Sequence, residues 1–533
     1  MINSLYIGRS GLDTAKYSVD VTSNNIANEN TEGYIKRTIN TSELTTLEDD
    51  IGNGVSFDSV TRSTSVYLYD KLVSQDSLSS YYEAEDSILS NVEMMFSETE
   101  NTGFSSTLSN YFDSVETLRG DPTNLIYKND FSSQAEFVVD GIQSLNENLN
   151  ETITSTRAQL EDDVKTVNNI LEQIVSLNEQ ILQSNTESID LLDKRDALEK
   201  KLSNYVDIEI NRTSSTYNLK VSGVNVIFNN TNLHEISVKE ENVAQKDVYD
   251  SSDLDASKFS NGDAISIVLN NTTTALNFNA TITGTDENEV KQQIVDEINA
   301  SSDFTNYTAS LDTSNNLVIT SNTEGEEGKF DIAISVNGTE ITTNSNSVEA
   351  ENNVSLAVYN NDLNLSSGSL KALTEELTSS TSNIYEYKNS LDDFAKAFVE
   401  QVNSNSTTPL FYGSSVDSLS FRSDNVSSLT NDDLENLAQI QWNDDITIGD
   451  SETSFTKFYQ SLLVTISSNV EDNSFKLESQ DSIVNSLETT YNNLTKVDPD
   501  TEMINLLQYQ AAYEANAKVI STVDEMLQTL LNM

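Results

Sequence analysis

Side chains able to do acid–base, nucleophilic or metal chemistry are sparse in this chain and poorly placed for it. It contains one histidine, His234, and no cysteine. That removes every site built on two imidazoles or on thiolates, the HExxH zinc site among them, and any disulfide framework. His234 stands in Asn232-Leu233-His234-Glu235 beside a strand-like run, the setting of an ordinary strand-edge residue. Asp498-Pro499-Asp500-Thr501-Glu502 spaces carboxylates as a calcium loop does, but the sixth position, which such a loop gives to glycine, is Met503. The same residues suit the start of a helix, with Asp500 as N-cap and Glu502 near the positive end of its dipole. Asp49-Asp50, Asp162-Asp163 and Asp444-Asp445 are the adjacencies expected of 86 acidic residues, and neighbours on one element do not converge on one substrate. Asp193-Lys194-Arg195-Asp196 reads as a solvated ion-pair face, its two aspartates one turn apart and flanking Arg195 or Lys200. Trp442, the single tryptophan, reads as a core anchor. No phosphate-binding glycine loop, GxSxG or kinase set is present. These residues offer no catalytic, cofactor-binding or metal site.

What the chain does carry is a pair of amphipathic heptads at its two ends. Leu5, Gly8, Leu12, Ala15, Val19, Thr22 and Ile26 alternate at spacings of three and four. Met503, Leu506, Gln510, Tyr513, Ala517, Ile520, Leu527 and Leu531 keep the same register, broken at Asp524, and Tyr509, Val519, Val523, Met526 and Leu530 widen the stripe. Each is the seam of a coiled-coil helix and must bury itself against something, either the other end of the same molecule or a neighbouring subunit. The candidate contact residues are Leu5, Leu12, Val19, Ile26, Leu506, Tyr513, Ile520, Val523, Leu527 and Leu530. Isolated helices are marginal in water, so both termini are expected to be disordered in the monomer and to fold when covered.

Composition narrows the class further. A chain of 533 residues has room for about three or four domains. A net charge of −57, spread widely, argues against nucleic acid or an anionic membrane surface as partner. The first twenty residues are polar, without an apolar segment and small-residue cleavage site, and no run of eighteen apolar residues occurs. This suits a cytoplasmic protein or one exported unfolded without a cleaved signal.

Periodicity along the chain is helical, then alternating, then helical again, an α+β multidomain pattern. Coiled-coil terminal helices and a long helical bundle enclose inserted β-rich domains. The expected units are paired terminal helices at 1–45 and 490–533 and a helical bundle from 46–205, 366–403 and 456–489. A β-rich domain follows from 206–240 and 354–365, with 403–455 left open as a further part of it. Leu160, Val164, Val167, Leu171, Ile174 and Ile181 form the bundle's clearest stripe, interrupted at Asn178. A small α/β module is expected at 262–340 between polar linkers 241–261 and 341–353. Its core would be Ile265, Ile267, Leu276, Phe278, Ile294, Ile298, Leu317 and Ile319.

Asn24-Asn25-Ile26-Ala27-Asn28 followed by Thr31-Glu32-Gly33-Tyr34 resembles the NNIANxxTxGY signature of flagellar rod, hook and hook-associated proteins. Tyr509 to Ile520, then Asp524-Glu525-Met526-Leu527, resembles the matching C-terminal signature. Leu191-Leu192-Asp193-Lys194-Arg195-Asp196-Ala197-Leu198 is similar to the LLDxRDxLL element of the hook-associated protein 1 (FlgK) family, and Ser367 to Leu373 to its GxLxAL segment. The module at 262–340 resembles the small β-α-β repeat of flagellins and their caps. The chain departs from the pattern where Ile35 and Lys36 precede Arg37, and in the stretch Lys496 to Glu502. The resemblance implies a structural, non-enzymatic subunit of the bacterial flagellum, exported by the type III route without a cleaved signal peptide and located outside the cell. It implies assembly into a ring that joins hook to filament. The partners implied are the hook protein, a second junction protein (hook-associated protein 3) and an export chaperone on the C-terminal helix, with no cofactor. The hook protein itself, and less strongly a flagellum-secreted adhesin or enzyme, are the alternatives.

Overall fold

The structure is a computed structural model describing all residues except 1, 45–51, 99–101, 185–187, 214–215, 250–264, 270–275, 279–286, 302–303, 331, 337–338, 341–347, 349, 414 and 533. Its helices are α1 (Ile2–Ala27), α2 (Val66–Met95), α3 (Phe104–Gly120), α4 (Leu125–Gln183), α5 (Ile189–Ser203), α6 (Glu287–Ala300), α7 (Ser369–Leu377), α8 (Asn383–Ser404), α9 (Asn431–Ile440), α10 (Phe455–Thr495) and α11 (Pro499–Leu531). The strands before the inserted module are β1 (Arg37–Glu43), β2 (Val55–Arg62), β3 (Ile208–Arg212), β4 (Tyr217–Val221), β5 (Val224–Phe228), β6 (Asn232–Leu233) and β7 (Ser237–Glu240). Those of the module are β8 (Lys246–Tyr249), β9 (Ile265–Leu269), β10 (Leu276–Phe278), β11 (Tyr307–Leu311), β12 (Leu317–Ser321), β13 (Ile332–Val336) and β14 (Thr339–Glu340). After it come β15 (Val354–Val358), β16 (Asn361–Leu363), β17 (Phe411–Tyr412), β18 (Ser420–Phe421), β19 (Thr447–Ile448) and β20 (Ser451–Glu452).

The helical domain is built on α4, which runs unbroken for 59 residues. Asn124 starts it by accepting the Ile126 amide on its side chain. Of the predicted stripe, Leu160, Val164, Val167, Leu171 and Ile174 are buried and Ile181 is half-buried. Asn178, the break in that stripe, is buried as well, because its amide donates to the Asn230 carbonyl and its oxygen accepts from Arg195. α3, α5, α7 and α8 pack on α4, while α2 lies along α10.

One apolar cluster runs through α2, α3, α4, α7, α8, α9 and the start of α10, and continues into the antiparallel sheet β3-β4-β5-β6 and strand β15. The β-rich segments therefore share the core of the helical domain rather than building one of their own. Residues 403–455, open in the sequence, close the far end of this domain. Phe411, Val416, Leu434, Leu437, Ile446 and Ile448 enter the core, and Asp433 ties the segment together by accepting from Thr407 and Thr430. Trp442 departs from expectation. It is 77% exposed in the turn after α9, because Ile440 and Ile446 on either side already fill the apolar space.

The module has its own core, in which the predicted Ile267, Ile294, Ile298, Leu317 and Ile319 meet Tyr249, Phe304, Phe330 and Ile332. The side chains of Ile265, Leu276 and Phe278 lie outside the description. Its boundary differs from the expected linker at 241–261: β8 pairs antiparallel with β12, Val248 opposite Val318, and the bridges Val243↔Glu351 and Lys246↔Val348 continue the pairing towards the domain. Those bridges also fall inside the second expected linker, 341–353. Hydropathy missed β8 because the buried residue just before it and one of its own inward residues are polar. Gln245 and Asp247 are buried, and Gln245 is satisfied by donating to the Phe330 carbonyl at 2.7 Å and accepting its amide at 2.8 Å.

Tyr111 lies at the centre of an aromatic cluster, with ring centroids 5.2 Å from Phe112, 5.4 Å from Phe398 and 5.7 Å from Phe131. Its hydroxyl is buried without a hydrogen-bond partner among the described residues, and burial pushes its pKa up. An unsatisfied buried hydroxyl costs about 1–3 kcal/mol. Tyr111→Phe is therefore expected to leave stability unchanged or raise it by about 1 kcal/mol, read from the urea midpoint, and a loss above about 1 kcal/mol would contradict the packing described.

Candidate assembly interface

α1 and α11 pack as an antiparallel pair, from Asn25 against Glu502 at one end to Gly8 against Ile520 near the other. Close approach is made possible by the seam glycines. A Cβ on Gly8 would lie 3.1 Å from Ile520 Cγ1, and one on Gly11 would lie 2.8 Å from Asn516 Oδ1. Of the seam residues read from the heptads, Leu5, Leu12, Val19 and Ile26 are half-buried on α1. On α11, Val523 is buried and Leu506, Ile520 and Leu527 are half-buried. Tyr513 and Leu530 do not enter the seam fully and stay exposed.

Each helix covers only one side of its partner. Val519, Met526 and Leu530 remain exposed in the C-terminal half of α11 and Met503, Ile504 and Leu507 in its first turns, with Tyr6 and Tyr17 exposed on α1. Tyr17 stacks on Phe57 of the β1–β2 hairpin at 4.6 Å, which attaches the hairpin to α1.

The base of the pair is polar. Glu502, in the first turn of α11, is buried and accepts from Asn25 Nδ2 and from Lys36 Nζ, each at 3.0 Å. Asn25 Nδ2 also donates to the Arg37 carbonyl at 2.9 Å, and its Oδ1 accepts from the Arg37 amide at 3.0 Å and the Tyr34 hydroxyl at 2.8 Å. The Lys36 amide donates to the Thr495 carbonyl at 2.7 Å, which joins this segment to the end of α10. Gly33 enters the segment at φ 75°, a turn geometry that favours glycine. The cap of α11 is Asp498 rather than Asp500: Pro499 takes the first helical position, where no amide is needed, and the Asp498 carboxylate accepts the amides of Asp500 and Thr501.

Beneath this lies a buried ionic cluster on α5. Asp193, Asp196 and Glu199 recur at three-residue spacing and face inward, while Lys194 alone of the predicted solvated face is exposed. The expected surface reading of Asp193-Lys194-Arg195-Asp196 is thus corrected, because these carboxylates meet arginines from distant segments. Arg62 of β2 donates to Asp193 at 2.9 Å and to Asp196 at 2.7 Å. Arg37 of β1 pairs with Asp190 and lies 3.8 Å from Asp193. Arg212 of β3 pairs with Asp196 at 3.0 Å and with Glu199. Arg195 pairs with Glu199 at 3.5 Å and stacks over the Tyr217 ring at 4.4 Å.

The hydroxyls of Tyr217 and Tyr69 donate to Glu199 at 2.8 and 3.2 Å. Outside this core, Lys200 joins α5 to Asp76 of α2 and Glu488 of α10. Burial pushes the Glu199 carboxyl up to about 7, against the lowering pull of Arg212 and Arg195. Burial likewise raises Asp193, in spite of its hydrogen bonds from Arg62.

Among the described residues no group of three or more His, Cys, Asp or Glu could hold a metal ion. Two open grooves lie between α2 and α10, one lined by Lys71, Gln75, Ser482, Ile483, Ser486 and Leu487 and another whose walls include Glu93, Met94, Ser97, Glu98, Leu463 and Ile466. His234 is half-buried, its Nδ1 3.0 Å from the Asn225 carbonyl and its ring edge-on to Tyr359. Asn25, Arg62, Arg212 and Glu502 carry the site, and the heptads gave no sign of them. Only the asparagine-rich motif and the arginine after Gly33-Tyr34 pointed towards it.

Three family models match this chain. Residues 5–34 match the flagella basal body rod protein, and residues 490–533 the C-terminal part of the flagellar basal body rod FlgEFG proteins. Both helices of the antiparallel pair thus lie in segments similar to flagellar basal body rod proteins. Residues 89–274 match the helical domain of the flagellar hook-associated protein FlgK. The middle of this chain is thus similar to the helical domain of the hook-associated protein FlgK.

The chain is 28% identical to flagellar hook-associated protein 1 of Bacillus subtilis over 233 residues, covering 41% of this chain and 46% of that protein. It is 27% identical to that of Salmonella typhimurium and 26% to that of Escherichia coli, over 40% of each chain. The matched stretch therefore spans under half the length of these relatives. The flagellar hook junction protein FlgK of Burkholderia pseudomallei superimposes with a TM-score of 0.37 at 14% identity, covering 64% of this chain and 44% of that one. No helix among the described residues is long and apolar enough to cross a membrane.

The Glu199 environment sets a pH dependence. Its folded pKa of about 7 lies above the ordinary carboxylate value of 4.5. Between these values the folded chain holds a proton that the unfolded chain has lost. Stability supplied in full below about pH 4.5 is therefore lost as pH rises to about 7, by on the order of 3 kcal/mol from this group. Urea midpoints measured from pH 4.5 to 7 should fall, and Glu199→Gln should flatten the slope. An unchanged slope in Glu199→Gln would remove Glu199 as its source.

Proposed function

We propose that this chain is a structural, non-catalytic subunit of the bacterial flagellum that joins hook to filament, located in the flagellum outside the cell. The observation that carries this reading is the terminal pair. α1 and α11 bury one face of each other and leave Val519, Met526 and Leu530 exposed towards one end of α11 and Met503, Ile504 and Leu507 towards the other. Two different apolar patches on one pair suit head-to-tail contacts between copies, the kind of interface that closes into a ring when the rotation allows. The matches at 5–34 and 490–533 to rod-type proteins and the relatives named hook-associated protein 1 support the same reading.

In this account the terminal segments 1–45 and 490–533 form the axial part, loosely ordered in the isolated chain because half of their apolar surface lacks a cover. Ring copies would cover the flanks, the hook protein and a second junction protein would sit above and below, and an export chaperone would shield α11 before assembly. The helical domain and the module at 262–340 with its flanking segments would project outward. Deleting the gene is expected to leave hooks intact and shed filament protein into the medium; loss of the hook itself would favour a hook protein instead.

The flank also gives a mutational test. Leu507→Asp and Met526→Asp place a charge on exposed residues, so the purified chain should unfold within about 0.5 kcal/mol of the parent. In cells, after secretion has been verified, filaments should detach or fail to grow, since an unpaired charge buried between copies costs several kcal/mol. Ile520→Asp, which also faces Gly8 within the chain, should weaken the pair itself. Normal swimming by both flank variants would refute an axial contact on α11.

A further inference from the structure

We propose that Asn25, Lys36 and Glu502 form a register latch that fixes the single alignment of α1 against α11. A heptad seam by itself does not do this, because sliding one helix by seven residues returns apolar positions to apolar positions. The seam here is also weakly graded, with Gly8, Ala15 and Thr22 alternating with Leu5, Leu12, Val19 and Ile26 on α1. Other features must choose between alignments, and the pair has one at each end.

Near its free end, Gly11 lies opposite Asn516, so closely that any Cβ there would meet the Asn516 side chain at 2.8 Å. This notch sets how near the helices come. A slip by seven would bring the larger Tyr509 or the branched Val523 to the same place, which the notch accepts only if the helices move apart.

At the base the choice is stricter. Glu502 is 2% exposed and Asn25 1%, and the partners of the carboxylate are Asn25 of α1 and Lys36 of the segment leading into β1. A slip by seven in one direction moves Tyr509 into this place and leaves Glu502 beyond the end of α1. A slip in the other draws Glu502 along α1 towards Ser18, away from Lys36. Either leaves a buried amide or a charge without its partner, which an apolar mismatch does not. Asn25 is itself held by the Arg37 backbone and Tyr34, and Arg37 is anchored on the α5 carboxylates. The alignment of the terminal pair is therefore referred back to the helical domain.

The chain has no cysteine, so engineered disulfides report alignment cleanly. Asn516 Cγ lies 2.9 Å from the Cβ position of residue 11, close to what a disulfide between these positions needs. In the full chain, Gly11→Cys with Asn516→Cys should cross-link on mild oxidation, whereas Gly11→Cys with Tyr509→Cys or with Val523→Cys should give at least tenfold less. Adding Lys36→Met and Glu502→Leu, which removes both charges and leaves Asn25 satisfied by Arg37 and Tyr34, should raise at least one slipped pair to within about threefold of the aligned one. Adding Glu502→Gln, which keeps a hydrogen-bonding group, should preserve the original preference. Retention of the preference in the apolar variant would overturn the latch, and so would loss of all cross-linking there, since the triad would then supply docking strength rather than alignment. Because the readout is made within one chain, it stands or falls separately from the proposed role in the flagellum.

Discussion

Three carboxylates on one face of α5, set against arginines that arrive from β1, β2 and β3, tie the rest of the molecule together. Asp193, Asp196 and Glu199 are buried, and carboxylates are removed from water only at a large cost unless they are paired. Besides Arg195 of α5 itself, the arginines that satisfy them come from other segments of the chain. Arg62 brings the end of the hairpin that follows α1, Arg37 its beginning, and Arg212 the first strand of the four-stranded sheet. Lys200 reaches the α2–α10 ribbon from the same helix. Truncating one member leaves an uncompensated buried charge, worth roughly 3–5 kcal/mol, which is far more than an exposed pair such as Lys165–Asp162 on α4 contributes. Such a cluster fixes geometry more than it stabilises. The fork of a guanidinium accepts few positions of its carboxylates, so the direction in which the terminal pair leaves the helical domain follows from it.

The terminal pair differs in kind from the domain it stands on. The helical domain fills a continuous core with leucine, phenylalanine and tyrosine, whereas α1 and α11 meet through glycines, small residues and half-buried aliphatics. A seam of this sort holds the helices close but removes little apolar area from water, and at about 25 cal/mol per Å² it is weak for its length. The exposed leucines and methionines on its flanks are the complement of that weakness. A pair that could satisfy itself would have nothing left to offer a neighbour.

Much of this was legible from residue spacing. The heptads placed both terminal helices, the α4 stripe was read residue by residue, and five of the eight expected module core residues are buried in that core. The failures share a cause. Hydropathy locates apolar faces, and the deciding contacts here are polar groups that are buried because a distant partner neutralises them. Asp193-Lys194-Arg195-Asp196 looks the same in sequence whether water or Arg62 faces it. Gln245 and Asp247 made a buried strand look like a linker. Trp442 erred in the opposite sense, since size and aromaticity suggested a core that its isoleucine neighbours already occupied. Glu502 was placed correctly in the first turn of α11, but its value as a helix-dipole partner concealed the contacts with Asn25 and Lys36.

Charge is distributed in a way that favours contact through the pair. The segments 1–45 and 490–533 hold 6 basic and 11 acidic residues, against 29 and 86 in the whole chain, so almost all of the net charge of −57 lies on the outer domains. Copies brought together through α1 and α11 would meet at nearly neutral surfaces, while the bodies carrying the acid repel one another and stay apart. That repulsion is screened within about 8–10 Å at ordinary ionic strength, so it opposes side-by-side collapse of the outer domains without preventing contact at the axis. The same separation explains why a strongly acidic chain can keep exposed apolar flanks. In that arrangement the charge that keeps single copies from sticking at random would sit away from the contact through α1 and α11.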